Sequence, residues 1–249
     1  MKLKDRVAII TGGGRNIGRA IAYRLHEMGC QVVVCARTQK EIDHVAGVIQ
    51  EQGGRSAAIC CDVGDEDQVQ RVVDATLKVF GRVDFLVNNA GNYLEKPLAE
   101  TTAEEFDACV SGNLRGAFLL AKAVVPILKQ NQSGGRIVNV SSLLAEIPGS
   151  NVSIYCAVKA GLVGFSKALA RELHSEGINV NAVCPGTVTT GEQAIELEET
   201  RWKLGEHLLP RDVADVVAYL LTDESSQITG AAIQIPGATG IRVGSLARG

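Results

Sequence analysis

Short runs rich in valine and isoleucine alternate along this chain with longer stretches in which apolar residues return at helical spacing. RVAIIT precedes such a stretch from Ile17 to Met28, QVVVCA one from Gln39 to Gln52, and SAAICCD one from Glu66 to Phe80. RVDFLVNN is the next strand, and T-A-E-E at Thr102 starts a helix by placing a capping hydroxyl three residues before Glu105. RIVNVSS, a long helix from about Ser153 to Ser175, the strand INVNAVCP, a helix at Val213 to Leu221 and AAIQIP complete the series. Seven strands alternating with six helices are predicted. Strands apolar on both faces imply burial on both sides, so the expected α/β architecture is one doubly wound parallel sheet with helices on both faces. Ligands then bind beyond the carboxyl ends of the strands.

Composition agrees with a globular chain: of 249 residues, 46% are hydrophobic and 21% charged, with 27 glycines and 6 prolines. Disordered and collagen-like readings fail on apolar content. No repeat, linker or charge block divides the chain, so 1–249 is read as a single domain. The stretch 187–210, without clear strand pattern, is read as a substrate lid. A net charge of -3 without a basic run excludes nucleic acid as a partner. The most apolar helical stretch, Ala108 to Leu128, is interrupted by Arg115 and Lys122 and is expected to end against Pro126, too short for a membrane span. The start lacks a signal-peptide core, and a cytoplasmic protein is expected. Seven cysteines, an odd set without C-x-x-C spacing, read as small core residues rather than a disulfide framework. The four histidines are dispersed, no structural metal is expected, and Asp65, Glu66 and Asp67 are read as support for a helix N-terminus.

Strand one runs into T-G-G-G-R-N-I-G, with a helix immediately after it. A glycine-rich strand-to-helix turn brings backbone N–H groups and the positive helix end up to a pyrophosphate, the device of a Rossmann-type dinucleotide site. The predicted contacts are Gly12, Gly14, Arg15, Asn16, Ile17 and Gly18. Asn16 stands where glycine is usual, a tolerable choice because asparagine enters the left-handed region more easily than most residues. The ribose-reading position, near the end of strand two, is Arg37. An acid there would accept from a ribose hydroxyl, whereas a guanidinium suits a 2′-phosphate, with Arg15 as a second charge. NADP(H) is therefore favoured over NAD.

From here the sequence resembles the short-chain dehydrogenase/reductase family over nearly its whole length. The landmarks occur in order: the glycine turn at Thr11 to Gly18, D-V at Asp62-Val63, N-N-A-G at Asn88 to Gly91 and N-L-x-G at Asn113 to Gly116. S-S at Ser141-Ser142, Y-x-x-x-K at Tyr155 to Lys159, P-G at Pro185-Gly186 and I-T-G at Ile228 to Gly230 follow. Two departures are Asn16 and the ending P-G-A-T-G at Pro236 to Gly240, where an acid usually precedes a glycine pair. The resemblance implies that Asn113, Ser142, Tyr155 and Lys159 are catalytic. Ser142 would hold the substrate oxygen, Tyr155 would exchange its proton, Lys159 would also hold the nicotinamide ribose, and Asn113 would keep a water against Lys159. It further implies that Asp62 and Val63 flank the adenine and that Asn89, Ala90 and Gly91 line the coenzyme. Pro185, Gly186, Val188 and Thr190 would surround the nicotinamide amide.

Tyr155 and Lys159, four apart on a helix, share one face. Bringing a tyrosine from its reference pKa of about 10 to about 7 requires roughly 4 kcal/mol. An ammonium about 5 Å away at an effective dielectric of about 20 supplies about 3 kcal/mol of it. The sequence therefore predicts a phenol lowered mainly by Lys159.

Asn92, Tyr93, Leu94, Leu143, Leu144, Ile147 and Val188 form the expected pocket wall, with Ile195, Leu197, Trp202, Leu204 and Leu208 on the lid. These mostly apolar residues suit a carbonyl or secondary alcohol on a moderately apolar small molecule. Two alternatives stay open: a 3-oxoacyl-carrier-protein reductase, a kind of member that the chain resembles, and a non-catalytic NADP(H)-binding regulator. Glu172 and Glu176 do not favour docking of an acidic carrier. The resemblance also implies a homodimer or homotetramer through the helices carrying Asn113 and Tyr155, with Phe118 and Phe165 contributing.

Overall fold

All seven predicted strands form in the computed structural model, which describes residues 3–190 and 207–237. They are β1 (Val7–Thr11), β2 (Gln31–Ala36), β3 (Ser56–Cys60), β4 (Phe85–Asn88), β5 (Gly135–Val140), β6 (Ile178–Pro185) and β7 (Ala232–Ile235). Every pairing is parallel, in the order β3-β2-β1-β4-β5-β6-β7. The order in which strands are added reverses between β1 and β4, where Ile10 lies between Val34 and Val87. Such a switch point opens a crevice at the carboxyl ends of the strands.

The described helices are α1 (Asn16–Glu27), α2 (Gln39–Glu51), α3 (Glu66–Phe80), α4 (Ala103–Val110), α5 (Gly116–Leu128), α6 (Ser153–Leu173) and α7 (Pro210–Leu220). Ile21 and Leu25 of α1, Ile42 and Ile49 of α2 and Val213 and Val217 of α7 cover one face of the sheet. Val69 and Val72 of α3, Leu120 and Val124 of α5 and Leu169 and Leu173 of α6 cover the other. Capping explains two helix starts. Asp65 accepts from the Gln68 amide at 3.0 Å, as the acidic run suggested, and Thr102 and Glu105 form the reciprocal capping box.

Three expectations need correction. The helix starting after Thr102 does not run evenly: a π-helical stretch, Ser111–Arg115, joins α4 to α5. Counted as one interrupted rod, α4 and α5 leave six helices among the described residues, as the periodicity predicts. Pro126 does not end it: the residue lies inside α5, which runs on through it to Leu128. The rod Ala103–Leu128 is consequently long and apolar enough to cross a membrane. Its apolar side is instead packed in the core with α3, and Lys122 reaches Glu66 at 2.7 Å.

Five of the seven cysteines are buried, as small core residues are; Cys60 is exposed and Cys156 half-buried. At the amino end of the sheet the fully buried Asp84 takes Arg6 at 2.9 Å, Arg82 at 2.6 Å and the Val7 amide at 2.9 Å. These partners offset the desolvation of a buried carboxylate. The opposite end is left for ligands.

Candidate active site

A cleft of about 1140 Å³ runs across the carboxyl ends of the strands. That is ample for a dinucleotide and a small substrate. Its first wall is the glycine turn. Gly12 has φ +63° and Asn16 φ +47°, so asparagine does occupy the left-handed region here. A Cβ on Gly18 would come within 2.1 Å of the Gly12 carbonyl oxygen, which is why helix and strand approach closely only with glycine. The turn is tied to β4: Thr11 Oγ1 accepts from the amides of Asn89 at 3.0 Å and Ala90 at 2.9 Å. Asn89 Nδ2 donates to the carbonyls of Thr11 at 3.0 Å and Gly12 at 3.2 Å. No side chain caps the start of α1, so its first N–H groups face the cleft unsatisfied by a cap. These features fit a pyrophosphate.

Beyond the turn, Arg37 follows β2 and Arg15 lies within the turn, both exposed and both lining the cleft. Arg15 stands 4.0 Å from the Glu41 carboxylate, a loose and largely solvated pair. Asp62 and Val63 line the same end, Asp62 Oδ1 accepting from the Gly64 amide at 2.9 Å. Thr38, Glu41 and Cys61 also border it and were missed. Their only sequence signal is proximity to Arg37 and Asp62.

At the other end Ser142 stands just past β5, its Oγ accepting from the Leu144 amide at 3.2 Å and hydrogen-bonded to Tyr155. Tyr155 lies in the first turn of α6, and Lys159 one turn further on is buried. Lys159 Nζ donates to the Val140 carbonyl at 3.0 Å and lies 5.5 Å from the centroid of the Tyr155 ring. Ser141 Oγ donates to the Lys159 carbonyl at 2.9 Å, pinning this helix to the strand end. Asn113 is placed by the π stretch, an irregularity frequent at functional sites. Its Nδ2 donates to the carbonyls of Cys109 at 2.9 Å and Asn92 at 3.0 Å, while its buried Oδ1 has no partner. A Cβ on Gly91 would meet that oxygen at 2.3 Å and Lys159 Nζ at 3.6 Å. Both residues border the cleft beside Gly91, and Oδ1 keeps an unused acceptor that suits a water.

The electrostatics differ from the sequence expectation. Burial pushes the Tyr155 phenol up to about 12, against a smaller downward pull from the Ser142 hydrogen bond. Burial also pushes the Lys159 ammonium down to about 8. The predicted lowering of Tyr155 toward neutrality by Lys159 is therefore not present in the protein alone. Desolvation is the largest influence on both groups, and the ammonium lies 5.5 Å from the ring centroid. What results is a phenol that keeps its proton and a mostly charged lysine at neutral pH.

Asn92, Tyr93, Leu143, Leu144, Ile147 and Val188 line the substrate half. Leu94, although next to Tyr93, does not. Leu208 is not a lid either: it is 8% exposed and bridges to Val188. Ile195, Leu197, Trp202 and Leu204, and with them most of the expected lid, lie outside the described residues, as does the chain beyond Gly237. All the other coenzyme and catalytic candidates named from the sequence border the cleft, Gly14, Ile17, Pro185, Gly186 and Thr190 included.

Comparison with known proteins gives the same picture. A profile of the family described as short chain dehydrogenase matches residues 6–201. A 3-oxoacyl-(acyl-carrier-protein) reductase from Thermotoga maritima is 35% identical over 243 residues, covering 95% of this chain and 98% of that protein. Its counterpart from Staphylococcus aureus is 36% identical over 237 residues, covering 92% and 96%. Among solved structures, a dehydrogenase/reductase from Sinorhizobium meliloti 1021 has a TM-score of 0.85 at 36% identity, covering 94% of each chain. A variant of actinorhodin polyketide ketoreductase with NADPH has a TM-score of 0.86 at 34% identity, covering 94% of this chain and 97% of that one.

Proposed function

The chain belongs to the short-chain dehydrogenase family, and on that premise we propose that it transfers hydride between NADP(H) and the carbonyl or secondary alcohol of a moderately apolar small molecule. The observation that carries this reading is one cleft with Arg15 and Arg37 beside a glycine turn at one end and Ser142, Tyr155, Lys159 and Asn113 at the other. The whole chain serves as a single dinucleotide-binding and catalytic domain.

Bound NADPH supplies a hydride from C4 of its nicotinamide. Ser142 Oγ holds and polarises the carbonyl oxygen. Tyr155, a phenol that keeps its proton, hands that proton to the oxygen as negative charge develops on it. Lys159 stabilises the phenolate left behind, and a water between Lys159 and Asn113 Oδ1 relays a replacement proton. Lys159 would also hold the nicotinamide ribose, with Pro185, Gly186, Val188 and Thr190 around the amide. Asp62 and Val63 would hold the adenine, Asn89 to Gly91 would line the coenzyme, and Arg37 with Arg15 would take the 2′-phosphate. In the reverse direction Tyr155, as the phenolate beside Lys159, would take the proton of the alcohol.

The relatives' names favour a second reading, a 3-oxoacyl-carrier-protein reductase. Against it, Glu172 is exposed on α6, an acidic group that does not favour an acidic carrier, while Glu176 is paired with Lys129 at 3.2 Å. A regulator that binds NADP(H) without turnover is disfavoured by the complete set of Ser142, Tyr155 and Lys159. A cytoplasmic homodimer or homotetramer through α5 and α6 is part of the reading, supported by Phe118, which is 46% exposed. The test is NADPH absorbance decay across a carbonyl panel, with NADH in parallel. Faster consumption of NADPH with apolar ketones is expected, and tight NADPH binding with no oxidation of it by any carbonyl would refute the enzyme reading.

A further inference from the structure

The reaction leaves one aromatic ring of the cleft without a role. Tyr93 is 57% exposed, although its ring centroid is 5.0 Å from that of Tyr155 with the planes at 77°. An edge-to-face contact of this kind fixes the ring while leaving a flat face bare beside the proton donor. The Tyr93 hydroxyl donates to Glu95 Oε2 at 3.0 Å. The same half of the cleft is lined by Leu143, Leu144 and Ile147, branched side chains that pack well on a flat group. Among the described lining residues the cations are Arg15 and Arg37, at the glycine-turn end, and the buried Lys159. Among the described residues no exposed cation therefore meets a charged substrate in this half.

We infer that Tyr93 sets the substrate class: an uncharged ketone, or the corresponding alcohol, with an aromatic or conjugated ring next to the reacting carbon, its face lying on Tyr93. This rests on the chain being a carbonyl reductase. The ring acts as a recognition surface, so its loss weakens binding of flat substrates more than it slows proton transfer.

The test compares acetophenone with cyclohexyl methyl ketone, equal in size and unequal in flatness, as substrates of the full-length enzyme with NADPH. The wild type is expected to prefer acetophenone. Tyr93→Ala should lower the ratio of the two kcat/KM values about three- to tenfold, mainly through the KM of acetophenone. Tyr93→Phe, which keeps the ring and loses the Glu95 hydrogen bond, should hold the ratio within about twofold. A ratio unmoved in Tyr93→Ala, or lowered equally in Tyr93→Phe, overturns the inference. Turnover of other carbonyls but of neither ketone overturns it as well and leaves the reductase reading intact. No carbonyl consumed at all overturns both.

Discussion

Lys159 Nζ and the centre of the Tyr155 ring are 5.5 Å apart, and burial drives the proton affinities of the two groups apart, the phenol up to about 12 and the ammonium down to about 8. Each is kept in the form that carbonyl reduction needs at neutral pH, a protonated donor beside a positive charge. The arrangement therefore favours reduction at rest, and the reverse reaction depends on the added charge of oxidised coenzyme.

The pH dependence of reduction follows. Tyr155 stays protonated well into the alkaline range, so the first group to change is Lys159, which loses its charge as pH rises through about 8. The kcat/KM for a ketone with NADPH should be level below that point and fall above it, by at most about tenfold per pH unit. A pH–rate profile that rises through 8 would contradict this.

Stability should move the opposite way from activity in Lys159→Met. Because Lys159 titrates lower in the folded protein than its ordinary 10.5, the unfolded chain binds more protons between about 8 and 10.5. The burial penalty is therefore full below 8 and relieved across that window as pH rises. Removing the charge should leave the variant equally stable or roughly 1–3 kcal/mol more stable at pH 7. Its turnover should fall about a hundredfold or more. Thermal unfolding and steady-state rates on one preparation check both.

Coenzyme choice rests on the exposed guanidinium after β2. Arg37→Asp should raise the KM for NADPH roughly 10- to 100-fold, the worth of a charged hydrogen-bond pair, and lower that for NADH. Unchanged preference would remove Arg37 from the phosphate site.

The glycine turn can be tested against an internal control. Gly18→Ala forces a Cβ to within 2.1 Å of the Gly12 carbonyl and should abolish measurable coenzyme binding. Gly47→Ala, on α2 with nothing within 4 Å, should bind coenzyme normally. It should also gain about 0.5–1 kcal/mol of stability from helix propensity.

The sheet and the glycine turn were legible because their physics is local. A strand buried on both faces must be apolar throughout, and a turn that needs left-handed backbone shows glycine or, at Asn16, asparagine. Tyr155 and Lys159 were legible for the same reason, since helical spacing alone puts them on one side. The π stretch that aims Asn113 leaves no mark in apolar periodicity, and Pro126 signals a stop that the surrounding packing overrides. The contact of Tyr93 with Tyr155 joins residues 62 positions apart, and the ion pair of Asp84 with Arg6 depends equally on chain crossing. Proton affinities were misjudged because spacing gives the distance between two charges but says nothing of the burial both undergo.

The most direct test replaces the Tyr155 phenol. Tyr155→Phe should bind NADPH as the wild type does while reducing ketones about 10²–10⁴-fold more slowly, the span that a positioned proton donor supplies. Undiminished reduction by this variant would contradict the assignment of Tyr155 as the group that protonates the substrate.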